Sequence, residues 1–170
     1  MISASDKWNA LAEFGNRFGL LVFVETGGYH GFTVDNLKDK FRFLITIEIG
    51  DVLYREIYDR GIPNVLPLHG DSAVLLPKVV KLLNEPALFW LDAHFSGMDT
   101  AGYGVQIPID AELRSILSGQ ERRHVVCVDD IGARELEEEK IQGIVSEFAG
   151  WEMQMRDGIA VIAAEGILSA

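Results

Sequence analysis

The sequence is poor in cysteine, in positive charge and in long apolar runs, and each shortage narrows the range of functions. Its 170 residues include one cysteine, Cys127, so no intramolecular disulfide can form and a reducing cytoplasm is the expected location. Lysine and arginine number 15 against 26 aspartates and glutamates, and the net charge of −11 disfavours a general nucleic-acid binder. No apolar stretch is long enough to span a bilayer, and the N-terminus has no basic segment followed by an apolar one, so neither a membrane anchor nor a leader is expected.

The chain contains enough apolar residues to form a full hydrophobic core. Hydrophobic residues make up 48% and charged residues 24%, which is typical of a globular protein with one domain over residues 1–170 and an N-terminal helix within 1–19. Five strand–helix units are predicted, followed by a hairpin around Asp157-Gly158. This alternation predicts an α/β fold with a mostly parallel sheet and helices on both faces, a Rossmann-like doubly wound three-layer sandwich. The predicted strands cover residues 20–25, 42–48, 64–69, 87–92, 124–130, 151–156 and 159–163.

Two details of this pattern concern the third strand and the helix that follows it. Pro67 cannot donate to a sheet ladder, so its strand is predicted either to lie at an edge or to be shortened. The helix over 72–84 is predicted to have an apolar side made of Leu75, Leu76, Val79, Leu82 and Leu83.

Carboxylates stand at the end of nearly every predicted strand. Right-handed crossovers bring the carboxyl ends of parallel strands to one edge of the sheet, so these side chains are expected to meet there. Crowding carboxylates is costly unless they bind cations or hydrogen-bond donors, which indicates a ligand site. The residues concerned are Glu25, Glu48, Asp92, Asp129 and Asp130, with Asp71 directly after a further strand.

A glycine-rich turn, Thr26 to Gly31, follows the first strand. Gly27, Gly28 and Gly31 let the backbone turn tightly and are expected to leave space for a ligand. Glu48 comes 23 positions after Glu25, a spacing at which a carboxylate accepts hydrogen bonds from ribose hydroxyls. The dinucleotide fingerprint needs G-x-G-x-x-G, and Thr26 stands where its first glycine belongs. Glu25 would also repel a pyrophosphate, so a ligand with a positive centre and no phosphate fits better.

At these residues the sequence resembles the class I S-adenosylmethionine-dependent methyltransferases. The resemblance rests on Glu25-x-Gly27-x-x-x-Gly31, then Glu48, then 70–73, Gly-Asp-Ser-Ala, and it covers nearly the whole chain. It implies a seven-stranded sheet. It also implies that Glu25, Thr26 and the glycines of the turn approach the methionine part of the cofactor. Glu48 would take the ribose hydroxyls, Asp71 the adenine amino group, and Ser72 would supply backbone contacts.

A narrower resemblance is to the metal-dependent sugar O-methyltransferases of the macrocin and novobiocin type. It is carried by 91–94, Leu-Asp-Ala-His, together with 128–130, Val-Asp-Asp. It implies Mg²⁺ bound by Asp92, Asp129 and Asp130, where the metal would acidify a substrate hydroxyl. His94 would take the proton, with Asp92 also in the catalytic and cofactor sites. The chain departs from the family at Ala93, where glycine is usual, and at His94, where aspartate is expected, and it lacks the family's lid segments. Helix capping by Asp129 and Asp130 is the competing interpretation.

The sequence therefore predicts a methyltransferase that uses S-adenosylmethionine, with a small-molecule hydroxyl such as that of a sugar or polyol as acceptor. Two alternatives stay open: an NAD-dependent oxidoreductase and a catalytically silent module that binds an adenosine ligand. No nucleic-acid or membrane partner is expected. Because the chain is short, a second copy is a candidate for covering the site.

Overall fold

The protein is an alternating α/β chain that ends in a β-hairpin. The computed structural model describes residues 4–92, 108–121, 123–129 and 135–168. In chain order its elements are α1 (Ala4–Phe18), β1 (Val22–Thr26), α2 (Phe32–Leu37), β2 (Phe43–Glu48), α3 (Asp51–Tyr58), β3 (Val65–His69), α4 (Ser72–Leu82), β4 (Ala87–Leu91), α5 (Ile109–Leu117), β5 (Val125–Val128), α6 (Glu135–Ser146), β6 (Trp151–Arg156) and β7 (Ile159–Ala164).

The seven strands form one sheet in the order β3-β2-β1-β4-β5-β7-β6. The first five strands are parallel, and β7 pairs antiparallel with both β5 and β6. This is the Rossmann-like, doubly wound architecture with a C-terminal hairpin that the sequence predicts, and the prediction is confirmed. The chain moves outward from β1 to β3 and then returns to β4 on the other side of β1. A crevice between β1 and β4 is where such sheets bind ligands.

Each face of the sheet carries its own core. On one face α4, α5 and α6 cover the strands through buried residues that include Leu76, Leu113 and Ile141. On the other face α1 and the α2 region pack through Leu11 and Leu37, among others. Successive strand residues point to opposite faces, so strands buried on both sides read as continuous apolar runs. None of the helices in the described ranges is long and apolar enough to cross a membrane.

The prediction for the strand that contains Pro67 is confirmed, and one part of the prediction for α4 is wrong. The strand with Pro67 lies at the edge of the sheet, as predicted. Leu82, in contrast, is 78% exposed, so its assignment to the apolar side of α4 is wrong. It follows the fully buried Leu76 by six residues, and a rotation of about 100° per residue carries it to a different flank of the helix.

Candidate functional site

Backbone hydrogen bonds extend the sheet past the strand ends and bring the predicted acidic residues to one edge. The N–H of Asp92 donates to the carbonyl oxygen of Thr26 at 3.2 Å, and the N–H of Asp129 donates to that of Leu91 at 3.2 Å. On the other side, Gly27 N–H donates to the carbonyl oxygen of Ile47 at 2.9 Å. The residues that end β1, β2, β4 and β5 are thus held in lateral register around the β1–β4 crevice.

Glu25 lies inside the sheet and is 1% exposed. Its Oε2 accepts a hydrogen bond from Thr46 Oγ1 at 2.8 Å, from the neighbouring strand. Burial raises the pKa of the Glu25 carboxyl from 4.5 to about 8; hydroxyl hydrogen bonds from Thr33 and Thr46 oppose the shift, and the negative charges of Asp92 and Glu48 add to it. At neutral pH this carboxyl is therefore mostly protonated, and a cation placed beside it would favour the ionised form.

The glycine turn is tight, but protein atoms fill the space beside two of its glycines. Gly27 and Gly31 have φ values of 79° and 72°, in the region that favours glycine. A Cβ on Gly28 would lie 2.4 Å from Thr46 Oγ1, and one on Gly31 would lie 2.6 Å from an Arg60 guanidinium nitrogen. Glycine is therefore needed at these two positions because the turn packs there against β2 and the end of α3. Ligand space on the other side of the turn stays a prediction.

Glu48 closes the turn from the end of β2. Its Oε2 accepts the N–H of Tyr29 at 2.7 Å and its Oε1 accepts the N–H of Gly50 at 2.7 Å. The side chain is largely buried, with the residue 7% exposed. Each carboxylate oxygen has a further lone pair, so each can accept a second hydrogen bond.

Asp71 and Ser72 lie where α4 begins, one strand beyond Glu48. Asp71 Oδ1 accepts the N–H of Ala73 at 2.9 Å, so this carboxylate caps α4, and Ser72 is buried in the first turn. His69, at the end of β3, stacks on Tyr54 of α3 with ring centroids 4.9 Å apart. The edge of the sheet beyond Glu48 is therefore lined by the capping carboxylate of Asp71 and by the stacked rings of His69 and Tyr54.

Asp129 is already paired with a cation. Lys7 Nζ lies 2.7 Å from Oδ1 and 2.7 Å from Oδ2 of Asp129, and the two side chains are 18% and 5% exposed. Lys7 belongs to the second turn of α1, far from Asp129 in sequence. The sequence interpretation did not identify Lys7, and no local pattern could have found it.

The metal implied by the family resemblance does not fit Asp129 as the structure has it, because an ammonium group contacts both of its oxygens. Among the described residues, no three His, Cys, Asp or Glu side chains gather as metal ligands would. Asp92 follows β4 beside the site, as predicted. His94 and Asp130 lie outside the described residues.

Two other histidines have partners of their own. His124 is buried at the start of β5, where its Nδ1 accepts the N–H of Ala87 at 3.0 Å and burial lowers its pKa. His30 Nδ1 lies 2.6 Å from Glu56 Oε2 on the surface.

Thr26 is fully buried at the end of β1, and its Oγ1 has no hydrogen-bond partner among the described residues. Because successive strand residues alternate, this hydroxyl points to the face of the sheet opposite the Glu25 carboxyl.

The fold is shared with known methyltransferases. The O-methyltransferase TomG from Streptomyces achromogenes, solved in complex with SAM, matches with a TM-score of 0.71 and 14% identity over 98% of this chain and 82% of that chain. The methyltransferase PaMTH1 from Podospora anserina, bound to SAH, matches with a TM-score of 0.70 and 14% identity over 96% and 80%. The 23S rRNA methyltransferase ErmE matches with a TM-score of 0.65 and 15% identity over 98% and 70%.

At the level of sequence, no family model and no curated protein matches this chain. At identities this low, the structural likeness establishes the methyltransferase fold and no more.

Proposed function

We propose that this protein is a methyltransferase that binds S-adenosylmethionine in the β1–β4 crevice and methylates a hydroxyl group of a small molecule. The observation that carries the proposal is the carboxylate of Glu48, fixed by two backbone N–H groups at the end of β2 and facing the glycine turn. The fold supports it, since proteins of the same fold are described as bound to SAM or SAH.

Each residue at the edge has a task in this proposal. Glu48 accepts hydrogen bonds from the two ribose hydroxyls, and Asp71, whose Oδ1 caps α4, offers its other oxygen to the adenine amino group. Ser72 supplies backbone contacts. Thr26 and Glu25 line the methionine end together with Gly27, Gly28 and Gly31, and the ionised form of Glu25 is complementary to positive charge.

When bound, S-adenosylmethionine supplies an electrophilic methyl group. The residues of this chain contribute mainly by holding the two reactants in line and at contact distance. Asp92, which follows β4 beside the crevice, orients the acceptor, and His94 is the proposed base for its hydroxyl proton. Mg²⁺ has no step in this proposal, because Lys7 contacts both oxygens of Asp129.

The acceptor class rests on charge as well as on the neighbours. A structural neighbour, ErmE, is a 23S rRNA methyltransferase, so the fold alone leaves both acceptor classes open. A net charge of −11 opposes binding to a phosphate backbone, which favours a small molecule over RNA. The cytoplasmic location belongs to the same proposal and rests on the presence of a single cysteine, Cys127.

The first experiment is calorimetric titration of the full chain with S-adenosylhomocysteine. We expect binding in the micromolar range, weakened at least about tenfold by Glu48→Ala, since hydrogen bonds to a charged group are lost. Glu139→Ala is the matched control, because it removes an exposed glutamate of the same charge on α6 and should leave the affinity unchanged.

Glu48 also holds the turn, so a second ligand separates the two effects. The wild-type protein should bind a 2′,3′-dideoxy analogue more weakly than S-adenosylhomocysteine, and Glu48→Ala should bind the two alike. A preference that persists in the variant would contradict the ribose assignment. Absence of S-adenosylhomocysteine binding with binding of NAD would instead favour the oxidoreductase, and binding without turnover on any hydroxyl acceptor would favour the silent module.

A further inference from the structure

Helix α1 reaches the end of β5 because the part of the helix from Lys7 to Phe18 is about as long as a strand of the sheet. From Phe18 back to Lys7 the helix rises by about 17 Å, at 1.5 Å per residue. A five-residue strand such as β1 spans about the same distance. Because α1 ends just before β1 begins and packs along the sheet through Leu11 and Phe14, its second turn reaches the carboxyl edge of the sheet.

At that edge Lys7 meets a concentration of negative charge. Asp92 and Asp129 directly follow Leu91 and Val128, which are register partners on β4 and β5. Asp92 and Glu48 both act on the pKa of Glu25, so these carboxylates share one electrostatic environment. The Lys7 ammonium contacts the Asp129 carboxylate at this edge, from α1 on one face of the sheet.

A divalent ion on Asp129 would come too close to this ammonium group. Mg²⁺ binds a carboxylate oxygen at about 2.1 Å, and both oxygens of Asp129 lie 2.7 Å from Lys7 Nζ. The two cations would then be at most about 4.8 Å apart, in a place where both side chains are largely removed from water. Their repulsion opposes metal binding for as long as Lys7 stays in place.

We propose that Lys7 is the cation of the acceptor end of this site, and that its ammonium group neutralises and orients Asp129 in place of a divalent metal ion. The inference deepens the proposed methyl transfer and rests on it for the role of the site. Lys7 acts through Asp129 and is therefore a positioning residue. It also gives α1 a part in the site beyond covering one face of the sheet.

The test is uptake of Mn²⁺, a spectroscopically visible substitute for Mg²⁺, measured by loss of the free-ion paramagnetic resonance signal. The full-length wild-type protein should take up no Mn²⁺ at micromolar concentrations. Lys7→Met, which keeps the length of the side chain and removes its charge, should gain uptake, whereas Lys7→Arg should not. The matched control is Lys140→Met, which removes an ion pair with Asp110 on the surface and should behave as the wild type does.

Two results would overturn the proposal. One is Mn²⁺ uptake by the wild-type protein that Asp129→Asn abolishes. The other is a Lys7→Met protein with wild-type circular dichroism that still takes up no Mn²⁺. Uptake by the wild-type protein would overturn the proposal even where Lys7→Met fails to fold. Titration with S-adenosylhomocysteine is scored separately, so failure of the proposed function is distinguishable from failure of the lysine assignment.

Discussion

At the scale of single residues, the most unusual group is Glu25, a carboxyl removed from water inside a parallel sheet. An isolated ionised carboxylate in such a place is strongly disfavoured, and the protein keeps it by combining protonation with hydroxyl donors. Thr46 serves two purposes here, because its hydroxyl donates to Glu25 and also fills the space that a Cβ on Gly28 would need. A cationic ligand at this point would change the proton content of the protein when it binds.

The raised pKa of Glu25 predicts a pH-dependent stability. Between pH 4.5, the ordinary value, and about 8, the folded protein holds a proton that the unfolded chain has released. The free energy of unfolding should therefore fall as pH rises through this window, by up to about 1.4 kcal/mol per pH unit from this group. Glu25→Gln lacks this contribution, so its stability relative to wild type should increase from pH 5 to pH 8.

Urea unfolding at several pH values measures this difference. Glu13→Gln is a suitable control, because Glu13 is exposed on α1 and its replacement should keep a constant difference from wild type. If the difference between Glu25→Gln and wild type is also constant across the range, the folded protein does not retain the proton.

At the scale of elements, α4 shows how one residue can serve both the fold and the ligand. Asp71 caps this helix, and a cap of this kind contributes about 1 kcal/mol. The capping bond leaves the assignment to the adenine amino group as a prediction, since a carboxylate has two oxygens.

Replacement of Asp71 by two different residues separates these roles. Asp71→Ala should lower the free energy of unfolding by about 1 kcal/mol and weaken binding of S-adenosylhomocysteine. Asp71→Ser keeps a capping oxygen, so it should preserve stability while still weakening binding several-fold. Chemical unfolding and calorimetry give the two quantities. Unchanged affinity in Asp71→Ser would restrict Asp71 to capping.

At the scale of the whole molecule, two cores share one sheet, and we expect them to unfold together. Leu11 of α1 and Leu76 of α4 are fully buried on opposite faces. Replacing either by alanine should cost about 2–5 kcal/mol. In both variants, circular dichroism and tryptophan fluorescence should report one transition with the same midpoint. Separate midpoints would show that each layer of helices is stable without the other.

Much of this architecture is predictable from local patterns. Runs such as Ala87–Leu91 mark strands covered on both faces, and Asp157-Gly158 marks the hairpin, because these signals depend on neighbouring residues. The gathering of Glu48 and Asp92 at one edge also follows, since parallel strands align their carboxyl ends. The contact of Lys7 with Asp129 does not follow, because it joins positions 122 apart through packing of α1.

The direction of α1 decides how the protein can be handled. Ala4 begins this helix at the carboxyl edge of the sheet, one turn before Lys7, so an affinity tag or surface linker joined ahead of it would start beside the crevice. β7 runs antiparallel to β5 and ends at Ala164, toward the opposite edge. Attachment beyond Leu168 therefore leaves the crevice open to solution, which makes that end the better anchor for immobilised binding assays.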